Sequence, residues 1–133
     1  MQQPLPFAAL GVAALSSFLV GGLWYSPFLF GRIWQREAGD RRAEGSGHPA
    51  RVFGLSLLFA FVAALAYAWL VPPAASAAQA ALQGLAAGAG VAGMALGINY
   101  QFADHSWRLW LIDAGYHSVQ FLLYMLILWL WRA

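Results

Sequence analysis

Apolar residues run in four long stretches, 7–30, 52–71, 80–100 and 110–131, and most polar residues collect between them. Each stretch holds roughly 20 residues or more, the length a helix needs to cross about 30 Å of hydrocarbon. The pattern predicts an all-α polytopic integral membrane protein with four antiparallel transmembrane helices. One 31–51 loop is long enough to be a separate feature, whereas the connections at 72–79 and around 104–108 are short. No stretch is left over for a second domain, so 1–133 reads as a single four-helix transmembrane domain.

Composition agrees with that pattern. The chain is 62% hydrophobic and 9% charged, where a soluble domain carries about 25% charged residues. All seven basic residues are Arg, and the net charge of +2 does not describe a nucleic-acid-binding surface. The absence of Cys excludes disulfides, thiolate metal sites, iron–sulfur clusters and a cysteine nucleophile. The first stretch has no Lys or Arg before it and exceeds a signal-peptide core in length, so a retained first helix is expected.

Charge also predicts orientation. Eight of the twelve charged residues lie in the 31–51 loop, among them Arg32, Arg36, Arg41, Arg42 and Arg51. The positive-inside rule places this loop in the cytoplasm and both termini outside, with Arg108 again inside and only Arg132 opposed. Mixed charges and glycines within the loop read as a solvated link, with His48 as a solvated residue. Phe28-Leu29-Phe30 with Ile33 and Trp34 read as a segment lying along the inner interface. Trp24, Trp34, Trp107, Trp110, Trp129 and Trp131 fall near the predicted interfaces, as an aromatic belt requires.

The third stretch carries Gly84, Gly88, Gly90, Gly93 and Gly97. Small residues let helices approach closely in lipid, which makes these candidate packing positions. At about 100° per residue, Gly84 and Gly88 share one face, and Gly90, Gly93 and Gly97 fall on roughly the opposite one. Two faces imply neighbours on two sides, either both within the bundle or one of them a second subunit.

The fourth stretch contains the chemistry. Asp113, His117, Gln120 and Tyr124 follow at i, i+4, i+7 and i+11 and form one polar stripe. Ionisable side chains at bilayer depth pair, line a cavity or carry function, because exposing them to lipid is costly. Helices one and three end at the same inner level, so Trp24, Tyr25, Ser26, Asn99, Tyr100, Asp113, Tyr116 and His117 can share the inner third. Asp113 and His117 are expected to face the interior and meet Trp24, Tyr25 and Asn99, with Gln120 deeper along the stripe. Alternatively Asp113 pairs with Arg108, Arg32 or Arg51 near the headgroups. No zinc or di-iron spacing is present, even counting Asp104 and His105, so neither metal nor cofactor is expected. Ser26 or Ser118 with His117 and Asp113 supplies the residue types of a nucleophilic triad, but nothing marks an oxyanion hole.

Residues 22–34, around Trp24-Tyr25-Ser26-Pro27, and 107–117, ending in Asp113-Ala114-Gly115-Tyr116-His117, resemble the signature segments of the DUF1761 family. That resemblance covers nearly the whole chain. It implies a small four-helix protein of the bacterial inner membrane and brings no activity with it.

Two functions fit these features. One is a non-enzymatic membrane protein acting through helix association, as a homo-oligomer or an accessory subunit of a larger complex in the lipid bilayer. The other is a small oligomeric channel or transporter for a proton, cation or small solute, using the Asp113, His117, Gln120 and Tyr124 stripe. A membrane-embedded lipid or redox enzyme is the third and weakest fit.

Overall fold

The computed structural model describes residues 4–39 and 48–132, all of them helical or in short connections. The helices are α1 (Phe7–Trp24), α2 (Gly31–Ala38), α3 (Pro49–Leu70), α4 (Ala77–Phe102) and α5 (Trp107–Arg132). All but α2 are long and apolar enough to cross a membrane. The solvated link read at 40–47 lies outside the described residues.

Local chemistry sets the boundaries. α1 stops at Trp24 rather than continuing to residue 30, because Pro27 cannot donate to a helix ladder. The chain turns instead: the Phe30 N–H bonds the Trp24 carbonyl at 3.0 Å and the Gly31 N–H bonds the Ser26 carbonyl at 3.0 Å. This turn is tight enough that a Cβ on Gly31 would collide with the Tyr25 carbonyl. It delivers α2, an eight-residue amphipathic helix that the reading of 31–51 as a loop did not contain. Gly39, at φ 75°, ends it. His48 is exposed, as expected, and its Nδ1 also accepts from the Ala50 N–H at 3.2 Å and caps α3, with Pro49 in the first turn. Ser76 caps α4 through Gln79 in the same way.

α5 is the central helix, with α1 and α4 packed along it; α3 packs on α1, touches α5 only lightly and does not pack along α4. At the end holding the N-terminus of α1, the spans close on Ala9, Leu10, Ala13, Ala64 and Ala80 around Tyr124. At the opposite end α3 stands away from α5 and a cavity opens. The outward faces of all four spans are apolar, with Leu19, Phe59, Trp69, Val91, Ile98 and Leu130 more than half exposed, as a lipid-facing surface requires.

α4 departs from α-helical geometry over Ala86–Gly93, where its turns widen to π-helical spacing. One consequence overturns the two-faced glycine pattern. A Cβ on Gly84 would lie 2.6 Å from the Leu122 Cα, and one on Gly88 would strike the His117 backbone. On Gly93 and Gly97 it would meet Ala114 at 3.3 Å and Trp110 at 3.0 Å. All four glycines therefore form one seam against α5, spaced four, five and four residues apart. The five-residue step is one wide turn, so the phase calculated at about 100° per residue fails there. Gly90, whose Cβ would meet nothing within 4 Å, is not a packing position. At the end of the wide stretch the Trp110 indole N–H donates to the Gly93 carbonyl at 2.8 Å, which satisfies a backbone group at the irregular turn.

A membrane-embedded cavity with one polar wall

Asp113 lies on the face of α5 that meets three other helices at the cavity end of the bundle. Its Oδ1 accepts from the Tyr25 hydroxyl at 2.6 Å and the Trp34 indole N–H at 3.1 Å, and its Oδ2 from the Tyr100 hydroxyl at 2.5 Å. The donors come from the end of α1, from α2 and from α4, so one side chain ties four helices together. Asp113 is 8% exposed and its three donors are half-buried, so the carboxylate is satisfied inside the bundle. Among the described residues it makes no arginine pair: Arg108 stands 3.8 Å from Glu37, across to α2. Tyr25 sits one residue beyond α1, where burial, reinforced by its bond to Asp113, raises the phenol pKa well above its ordinary value.

The remaining candidate residues separate into those brought to this centre and those kept from it. Trp24 donates to the Ile112 carbonyl at 2.9 Å, one residue from Asp113 rather than on it, and its ring fills the space that Gly115 leaves open. Asn99 is exposed; its neighbour Tyr100 reaches Asp113 in its place. Ser26 donates to the Leu23 carbonyl of its own turn at 2.6 Å and Ser118 to the Ala114 carbonyl at 2.7 Å. With His117 bonded to Gln120, neither serine joins it and Asp113 in a triad. Trp24, Trp34 and Trp110 each spend their indole N–H on a hydrogen bond within the bundle. Tyr100 was placed at the same level as Asp113 by the sequence, with Asn99 expected to make the contact; Trp34 is the partner that sequence reasoning missed. An indole seven residues after the Pro27 break was the available signal for it.

His117, Gln120 and Tyr124 form a second network, deeper along α5. The His117 Nδ1 is 2.6 Å from Gln120 Oε1, Gln120 Nε2 donates to the Tyr124 hydroxyl at 2.7 Å, and Tyr124 donates to the Ala60 carbonyl at 2.9 Å. Ser17 approaches the Tyr124 oxygen at 3.3 Å, and Tyr116 donates to the Ser17 carbonyl at 3.1 Å. Tyr124 is fully buried and Gln120 is 6% exposed. The sequence stripe is thus two separate networks, with Asp113 in the first and His117 in the second.

Both networks form one wall of a cavity of about 690 Å³ between α1, α3 and α5. Phe18, Phe53, Phe59 and Phe121 make the apolar walls, Trp34 and Gln35 of α2 lie at one end, and Ala92 of α4 borders the opposite side. Because α3 does not pack along α4, the side bounded by Phe59, Ala63 and Ala92 faces the lipid. A mostly apolar hollow with a few placed polar groups is the usual form of a small-molecule site.

The model of the family described as protein of unknown function DUF1761 matches residues 8–129, and the chain therefore belongs to that family. No curated protein and no solved structure matches it.

Proposed function

We propose that this DUF1761 protein is a non-catalytic membrane protein that binds a small molecule in the cavity between α1, α3 and α5. The observation that carries the reading is the cavity itself: about 690 Å³ inside the spans, aromatic on most sides and polar on one. Sites for drug-sized ligands occupy about 300–1,000 Å³. The arrangement binds more readily than it conducts. Past Tyr124 the spans close on Ala9, Leu10, Ala13 and Ala80, each fully buried, so the hollow ends blind within one chain.

In this reading the α2 end of the cavity faces the cytoplasm of a bacterial inner membrane and both termini face outward. Arg32, Arg36, Arg51 and Arg108 all lie at the α2 end and Arg132 at the other, which supports that direction. Self-association or membership of a larger complex is compatible with it. The seam of Gly84, Gly88, Gly93 and Gly97 lends that no support, since α5 already occupies it.

Native mass spectrometry of the protein released from its membrane tests the proposal. Adducts of small-molecule mass should remain on the parent chain and disappear from Ala63→Trp, whose indole would fill the hollow beside Phe59. A parent chain without adducts, or adducts kept in full by Ala63→Trp, overturns it.

A further inference from the structure

The hydrogen bonds of the second network can carry their protons in only one direction. Tyr124 has a single hydroxyl proton and gives it to the Ala60 carbonyl, which can only accept. Gln120 must then face Tyr124 with its Nε2, which turns its Oε1 toward His117. An amide oxygen also only accepts, so His117 carries a proton on Nδ1. In neutral His117 the Nε2 is consequently a bare acceptor.

That nitrogen has no hydrogen-bond partner among the described residues, and it is not among the buried polar atoms left unpaired. It is therefore accessible, on a residue that lines the cavity. The other polar groups around it are engaged. Both Asp113 oxygens hold donors, both ends of Gln120 are bonded, Tyr116 donates to Ser17, and the Ser56 hydroxyl bonds the Val52 carbonyl. Gln35 is exposed, at the end of the cavity away from His117.

We propose that the cavity takes a membrane-dissolved amphiphile with a hydroxyl end, which donates its hydrogen bond to His117 Nε2 while its chain lies against the phenylalanine walls. This rests on the binding reading above and adds the ligand class. Entry from the bilayer follows from the lipid-facing side between α3 and α4. His117 stands ten residues into α5, about 15 Å along it. At that depth a neutral donor is favoured over an ammonium, whose charge would be expensive to bring in.

The test compares 1-dodecanol with its methyl ether, which has nearly the same shape and no donor. Each is added to the purified full chain in detergent at equal mole fraction in the micelle, and bound adducts are counted by native mass spectrometry. The alcohol should be retained about tenfold better than the ether, the worth of roughly one hydrogen bond that would otherwise be unmade. On alcohol binding the ¹⁵N resonance of His117 Nε2 should move in the direction of an accepted hydrogen bond. Equal retention of the two probes overturns the hydroxyl assignment and leaves the binding reading standing. Retention of neither probe, in a chain that also carries no native adducts, overturns both. An alcohol that binds without moving the His117 resonance overturns His117 as the acceptor.

Discussion

Gly88 of α4 stands so close to Ser118 of α5 that a Cβ on the glycine would lie 2.6 Å from the Ser118 Cα. No side chain fits between the two backbones, and the close approach extends along the seam through Gly84, Gly93 and Gly97. Gly88→Ala should destabilise the fold by about 1–3 kcal/mol or more, because backbone rather than a flexible side-chain tip must move. Gly90→Ala, at the open position in the same stretch, should be neutral or stabilise by up to about 1 kcal/mol through helix propensity. Thermal unfolding in detergent, followed by tryptophan fluorescence, ranks the two; equal losses would argue against the seam.

Register along α4 gives a sharper expectation. The wide turn holds one residue more than an α-helical turn, so deleting Gly90 would leave the glycines four apart throughout and keep them on one face. Deleting Ala95 instead, beyond the wide turn, would rotate Gly97 and Tyr100 by about 100° away from α5. The first deletion should retain helicity and a cooperative transition, and the second should lose the transition. Circular dichroism with a melt distinguishes them.

Asp113→Leu should be among the most damaging single changes. It leaves the Tyr25 and Tyr100 hydroxyls and the Trp34 indole without their shared acceptor, and each donor left unsatisfied inside the bundle costs about 1–3 kcal/mol. Asp113→Asn keeps one acceptor oxygen and should lose less, about 1–3 kcal/mol. Chemical denaturation in mixed micelles measures both, and the expected order is parent, Asn, Leu.

Tyr124→Phe should loosen the proton order upstream of it. Without the hydroxyl, nothing compels Gln120 to present Nε2 downward, and its amide can turn. Side-chain ¹⁵N spectra of the parent at a pH where His117 is neutral should show the Nδ1–H form, and those of the variant a mixture. Stability should fall by about 1–3 kcal/mol. An unchanged tautomer in the variant would break the link between Tyr124 and His117.

The sequence by itself determined the number of spans, the all-helical class and the importance of Asp113. Each follows from local chemistry: apolar length sets a span, and a carboxylate in such a segment must find partners. Tertiary structure alone decided which residues those partners are. An eight-residue amphipathic helix, too short and polar to register as a span, brought Trp34 to Asp113. One π-helical stretch changed the phase of everything after it, which placed Tyr100 rather than Asn99 on Asp113 and moved Gly93 and Gly97 onto the seam of Gly84 and Gly88. Periodicity arguments assume a constant rotation per residue, and a single wide turn is invisible to them because it forms where packing against α5 stabilises it, not where the local sequence demands it.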